Sequence, residues 1–406
     1  MAGSINSSRR NFLSGAAAVG AAMLSRRAWA SDSVALGLNG GPDQRALSSA
    51  FPQKGSMIVQ RTRPPLLETP FEVFDQGVFT PNDRFFVRWH WSVIPERIDP
   101  ATYTLAVRGH VDRAQSLSLA DILALPRVEL AAVNQCSGNS RGLFQPRVAG
   151  GQWANGAMGN AKLVGVRLRD VLDRAGVKAG AVAVRLNGLD EPVVDTAPDF
   201  KKSLAIDHAR DGEVMLAFQM NGEQLPLLNG FPLRLVVPGW YSTYWVKMVS
   251  DIEVLDKPDD DYWMKTAYLI PATPRANVKP GETGFPVEPI NRMVPRSFFT
   301  NVTDASTVKA GNPVSLRGIA MGGDCGVAGV DVSFDKGSTW SPATLGADEG
   351  TYGFRRWTAE TTAGSDGLVA MVRCTNTKKE VQPMEANWNG GGFMRNVVET
   401  VTLAAA

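Results

Sequence analysis

The spacing of apolar residues changes several times along the chain, and the changes divide it. Leu168, Val171, Leu172 and Ala175 recur on one face of a helix, with Gly176 placed to stop it. Ser118 is an N-cap for a second, shorter helix through Ile122 and Leu123 that must end before Pro126. Residues 105–111, 182–186, 233–237 and 246–254 are apolar or β-branched runs of strand length. In Arg84-Phe85-Phe86-Val87-Arg88-Trp89-His90-Trp91 the polar positions alternate. That stretch reads as a strand with unlike faces, which puts Arg88 and His90 on one side. Helices and strands mix without a βαβ rhythm, so the pattern predicts an α+β domain over residues 76–275.

Beyond a Pro- and Asp-rich linker at 257–286 the character becomes all-β. Residues 314–317, 330–334 and 397–401 alternate or run β-branched, and Asp335-Lys336-Gly337 is a hairpin turn. Short strands at this spacing predict an immunoglobulin-like β-sandwich over residues 276–406. Residues 31–75, with Pro64-Pro65 and no clear period, read as an irregular surface segment.

The first 30 residues stand apart. Ser8-Arg9-Arg10-Asn11-Phe12-Leu13 precedes a weakly apolar run and then Ala28-Trp29-Ala30, the layout of a twin-arginine export signal with its cleavage site. This predicts a periplasmic protein exported already folded. No later run reaches the roughly 18 apolar residues that span a bilayer, so no membrane insertion is expected. Removal of Arg9, Arg10, Arg26 and Arg27 takes Lys+Arg from 42 to 38 against 40 acids. Without a basic footprint, nucleic acid is excluded as a partner. The composition, 44% hydrophobic and 20% charged, is otherwise that of an ordinary globular chain.

The chain has three cysteines. Cys325 and Cys374 share the C-terminal region and could pair or stay as buried thiols; Cys136 is left over either way. No Cys-x-x-Cys-His occurs, so no covalently attached haem is expected on this chain. Cys136 lies in Asn134-Gln135-Cys136-Ser137-Gly138-Asn139-Ser140-Arg141, a setting that predicts a strand-to-loop corner, with Gly138 and Asn139 supplying a turn at positive φ. A thiol there is either an inert core residue or a ligand for a soft or high-valent metal.

Four stretches in fixed order decide between these. They are the octapeptide around Cys136, Asn221-Gly222-Glu223 leading to the run from Gly230 to Gly239, Val246-Lys247, and Val330-Asp331-Val332-Ser333 with Gly337-Ser338-Thr339-Trp340. Over nearly all of residues 80–406 the chain resembles the sulfite oxidase family of molybdenum enzymes, in particular its bacterial periplasmic sulfite dehydrogenases. The resemblance implies that Cys136 ligates molybdenum beside the dithiolene sulfurs of one molybdopterin. It implies that Phe86, Arg88 and His90 line the pterin and oxyanion pocket, with Arg141, Trp153 and Tyr268 as further pocket residues. Arg234 and the loop with Ser242, Thr243, Tyr244, Trp245 and Lys247 would cradle the pterin phosphate. The family's C-terminal substrate arginine follows a Trp-Asn pair; here Trp388-Asn389 is followed by glycines, and Arg395 stands as its substitute.

Other departures are Trp89 for a frequent Asn, Asn229 for a frequent His, and Ser242 for a frequent Gly. The implied activity is oxidation of sulfite to sulfate, with electrons passed to a separate c-type cytochrome and a homodimer formed through the sandwich. The alternative within this chemistry is a periplasmic sulfoxide reductase acting on methionine sulfoxide. A non-enzymatic β-sandwich binding protein with an inert Cys136 is the reading outside it.

Overall fold

A computed structural model describes residues 32–406; the export signal expected over 1–30 lies outside them. Among the described residues no helix is long and apolar enough to cross a membrane.

Two five-stranded sheets form the α+β part. One runs Lys201–Ala205, Ala183–Gly188, Val249–Leu255, Thr104–Gly109, Gln115–Ser118, antiparallel except where Val249–Leu255 lies parallel to Thr104–Gly109. The other is antiparallel and runs Glu223–Gln224, Met215–Met220, Met158–Arg167, Arg127–Gln135, with Arg234–Val236 also paired to Met215–Met220. Their apolar faces and the Leu168–Ala175 helix enclose one core, in which Leu168, Val171, Leu172 and Ala175 are all fully buried. Gly176, at φ 75, closes that helix as its position predicts. Leu119–Leu123 forms the expected short helix. Ser118 accepts from the Asp121 N–H, and Asp121 accepts from the Ser118 N–H.

The irregular segment expected over residues 31–75 is, within the described residues 32–75, largely a small sheet. Ser33–Ala35, Gln44–Ser48, Met57–Arg61 and Leu66–Glu68 form successive antiparallel pairs, completed by Val87–Arg88. Each strand is 3–5 residues long, too short to display a period, and Pro64-Pro65 lies in the turn between the third and fourth. The expected long strand over 84–91 shrinks to Val87–Arg88, preceded by a single 3-10 turn at Asn82–Arg84. Side chains replace a second strand there: Asn229 donates to the Phe86 carbonyl and Lys247 to the Arg88 carbonyl, while the indole of Trp89 donates to Leu228.

The C-terminal part is the expected sandwich. One sheet orders Arg296–Phe299, Pro313–Met321, Arg355–Thr362 and Thr344–Leu345. The other orders Thr307–Val308, Glu399–Ala405, Leu368–Asn376, Val327–Ser333 and Ser341–Pro342. The turn after Val327–Ser333 places Lys336 and Gly337 at positive φ, and Ser333 and Asp335 brace it. Cys325 and Cys374 are buried, free thiols.

The two parts share an apolar seam in which Phe74, Val133, Met158 and Tyr241 meet Phe298, Ile319 and Phe354. Arg317 also forms a two-pronged ion pair with Asp75 across it. Replacing Ser118 with Ala should cost about 1 kcal/mol, the usual worth of an N-cap. The check is a lower denaturation midpoint at unchanged slope; an unchanged midpoint would deny the cap any role.

Candidate active site

Cys136 follows directly on the Arg127–Gln135 strand, at the corner expected for it. The turn is built differently from the expectation, since Ser140, at φ 69, takes the left-handed conformation. A Cβ at Gly138 would lie 2.5 Å from the Arg141 guanidinium carbon, so a side chain there would displace Arg141 from over the loop. The loop is zipped to residues 153–157. Cys136 N–H donates to Ala157, Ser140 N–H to Ala154 and Gly142 N–H to Trp153, at 2.7–2.9 Å. Asn139 accepts from the Ala157 N–H and donates to the Asn155 carbonyl.

The thiol opens onto a cleft of about 460 Å³, counting its mouth. Of the residues named from sequence, Phe86, Arg88, His90, Cys136, Arg234, Ser242, Thr243, Trp245, Lys247 and Tyr268 line it together. Tyr244 does not line it; it packs edge-on to Trp240 with the Lys202 ammonium 4.6 Å above its ring. Trp153 is fully buried in the core beside the loop. Arg141 folds back over Gly138, donates to the Gly391 carbonyl at 3.0 Å and lies 5.1 Å above the Phe393 ring.

Arg395 is not part of the lining. It sits 3.5 Å from Glu399, whose carboxylate also pairs with Arg296 at 2.7 Å. Three successive glycines, Gly390 to Gly392, turn the chain so that Phe393 meets Tyr268, ring centres 5.8 Å apart. An aromatic ring therefore stands near where an arginine was expected.

Several lining residues were given no role by the sequence, although Asn134 and Ser137 lie in the cysteine motif. Asn134 and Ser137 flank the cysteine, and Phe200 stacks on His90 at 3.5 Å. Lys54 donates from beneath to the Asn82 and Phe85 carbonyls and to Asn229, while Arg234 donates to the Asn229 carbonyl. Asn229 thus links the short N-terminal strands to the cleft, and only the long-range contact reveals it.

The buried charges are mostly cationic, with the buried acid Asp190 beside Lys247. Burial brings Arg234 down to about 9. Lys247 comes down to about 7, chiefly by burial and then by Arg234. Desolvation, then Arg88, Lys247 and Lys202, hold the His90 imidazole well below its ordinary value, so it is neutral near pH 7. Burial raises the Tyr268 phenol, which therefore keeps its proton. These two neutral groups meet at 2.6 Å, from His90 Nε2 to the Tyr268 hydroxyl. Tyr268 holds φ 59, a conformation that bulky residues rarely adopt, pinned by the Ile290 N–H on its carbonyl.

The cleft fits an anionic pterin cofactor. Arg88 Nη1, Arg234 Nε, Ser137 Oγ, Thr243 Oγ1 and both side-chain ends of Asn134 are buried without a partner. Each such group costs about 1–3 kcal/mol unless something bonds to it. Among the described residues no three His, Cys, Asp or Glu side chains converge, so a metal at Cys136 would bring its other ligands with it.

A lone thiol at the floor of a cationic cleft, in an α+β domain backed by a β-sandwich, defines a molybdopterin oxidoreductase. Residues 91–263 match the oxidoreductase molybdopterin binding domain and 287–405 the Mo-co oxidoreductase dimerisation domain. Human mitochondrial sulfite oxidase is 33% identical over 84% of this chain and 64% of its own length. Arabidopsis thaliana sulfite oxidase is 31% identical over 74% of this chain and 78% of its own. The sulfane dehydrogenase SoxCD from Paracoccus pantotrophus superposes with a TM-score of 0.72 at 25% identity, over 83% of each chain. The chain belongs to the sulfite oxidase family of molybdenum enzymes. It spans 64% of the length of the human protein it matches.

The buried ammonium groups make stability depend on pH. Burial lowers Lys54, Lys202 and Lys247 from 10.5 to about 7. Between those values the unfolded chain binds protons that the fold does not. Stability of the cofactor-free protein should therefore rise with pH above 7, by about 1.4 kcal/mol per pH unit for each such lysine. Denaturant unfolding from pH 7 to 9.5 checks this, and Lys247→Met should remove one share of the slope. A flat profile in the unsubstituted protein would contradict the assignment.

Proposed function

We propose that this protein is a sulfite dehydrogenase that oxidises sulfite to sulfate and passes the electrons to a separate c-type cytochrome. The observation that carries the reading is the convergence of Cys136, the unpartnered Arg88 guanidinium and the Tyr268–His90 pair on one cleft. Molybdenum held by Cys136 and one molybdopterin would supply oxygen-atom transfer and two-electron redox chemistry. Arg234, Lys247, Ser242, Thr243 and Trp245, which line the cleft, would hold the pterin and its phosphate. Arg88 offers a fixed positive donor to an oxyanion, which a planar, always-ionised guanidinium does well. Tyr268 keeps its proton and can donate it to bound substrate, with His90 fixing the hydroxyl's direction. Arg141, turned away by Gly391 and Phe393, adds charge from behind the thiol rather than a direct contact.

Export by the twin-arginine route to the periplasm is the reading that residues 1–30 support, with a separate c-type cytochrome as the proposed carrier. A catalytic part over 76–275 and a sandwich over 276–406 are the proposed division, with the sandwich as a homodimer contact in keeping with the dimerisation-domain match. That match also favours sulfite oxidation over methionine sulfoxide reduction. A second reading is oxidation of a sulfane sulfur. The solved sulfane dehydrogenase suggests it.

Protein made in a molybdenum-replete host should contain about one molybdenum per chain and reduce cytochrome c with sulfite. Arg88→Gln should raise KM for sulfite about 10- to 100-fold, the worth of a charge-assisted hydrogen bond. Tyr268→Phe should lower kcat about 10-fold. Turnover of a sulfane donor but not of sulfite would select the second reading. Molybdenum-loaded protein that reduces no one-electron acceptor with either substrate would overturn both.

A further inference from the structure

Glu68 ends the Leu66–Glu68 strand and is 1% exposed, yet it has no ion-pair partner among the described residues. All its hydrogen bonds come from donors. Oε1 accepts from the Gly156 N–H at 2.8 Å; Oε2 accepts from the Ala154 N–H at 3.2 Å and from Gln60 Nε2 at 2.7 Å. Gln60 in turn accepts from Arg45 at 3.0 Å, the charged group that faces this carboxylate. The neighbouring Thr69 N–H donates to the Gly156 carbonyl.

The opposite edge of residues 153–157 is the one that holds the cysteine loop. The carbonyls of Trp153, Ala154 and Ala157 accept from Gly142, Ser140 and Cys136. Residues 153–157 are thus a slat with Glu68 on one edge and Cys136 on the other. The slat's ends are also held, by Trp153 and Ala157 in the core and by Asn139 on Asn155 and Ala157, and Glu68 is the side chain that takes its inward N–H groups at Ala154 and Gly156. Glu68, Thr69, Ala154 and Asn155 also border a groove that opens to solvent beside Phe298 and Val401. Gly156 leaves no slack, because a Cβ would run into the Thr69 carbonyl oxygen and the Glu68 side chain.

We propose that Glu68 is a positioning residue for Cys136, fixing the 153–157 slat against which the thiol's loop is zipped and so setting where the sulfur points in the cleft. The donors around Glu68 favour a carboxylate, while burial raises the group from 4.5 to about 7, so the ionised form prevails above that pH. Three donors converge on it, and a carboxylate is the side chain with acceptors only. Glutamine has the same shape but would point its own N–H groups at a slat N–H or at Gln60. The role lies outside the matched molybdopterin-binding region of 91–263 and rests on the reading of Cys136 as a metal ligand.

The test compares full-length, molybdenum-loaded wild type with Glu68→Gln by amide hydrogen exchange and by the electron paramagnetic resonance of sulfite-reduced protein. Exchange over 153–157 and 136–142 should quicken about 10- to 100-fold, the loss of one hydrogen bond to a charged group. Exchange over the Pro313–Met321 strand should not change, and the molybdenum signal should shift. Gly156→Ala, which presses the slat off Glu68 from the other side, should reproduce both effects. Unchanged exchange at 136–142 in Glu68→Gln would overturn the proposal, and so would exchange that quickens equally in the sandwich. If no molybdenum is present the metal-ligand reading fails by itself, while the exchange comparison still decides whether Glu68 holds the loop.

Discussion

Positive charge taken out of water without a matching negative charge is the constraint on which this structure turns. Moving an ion into a protein interior costs several kcal/mol, and pairing offsets that only when the geometry is good. Around the cleft, Arg234 is buried, the Lys247 ammonium is buried against the Arg88 carbonyl, and the donors at Arg88 Nη1 and Arg234 Nε are buried without a partner. A chain evolved only to fold would neutralise or expose such groups. Their retention beside a thiol makes sense when an anion with many acceptors completes them, and a phosphate-bearing pterin with a metal on its sulfurs is such a group.

Holding that arrangement needs more than the two sheets that form the core. The cysteine loop has a left-handed serine and a glycine overlaid by a guanidinium, and it is kept in place by a second loop. The N-terminal strands and the loop between them support both walls of the cleft: Glu68 reaches the loop beside the thiol, and Lys54 reaches Asn229 and the Phe85 carbonyl. The sandwich contributes from the far side, through Arg296 on Ser140 at 3.0 Å and Phe393 on Tyr268. Three parts of the chain thus converge on one sulfur atom, and the apolar seam between the domains keeps them in register.

How much of this could be read beforehand follows from the range of the forces involved. Helix 168–175, its glycine stop and the Ser118 cap are local, so periodicity and capping chemistry reveal them. The corner position of Cys136 and most of the cleft lining followed from motif order. Residues 31–75 did not, because strands of three to five residues carry no period and their pairing is decided by distant partners. The 84–91 stretch looked like a strand because polar residues alternate, but side chains of Asn229 and Lys247 satisfy its backbone instead. Arg395 was a matter of counting past three glycines, and those glycines bend the chain so that Phe393 arrives first. Glu68 and Lys54 lay in no motif; a buried charge can be recognised only once its surroundings are known.

The central claim, that Cys136 holds a pterin-bound metal in this cleft, is tested most directly by X-ray absorption at the molybdenum edge. Wild-type protein should show one more sulfur neighbour to molybdenum than Cys136→Ser protein loaded in the same way. Equal sulfur counts in the two proteins would contradict the account.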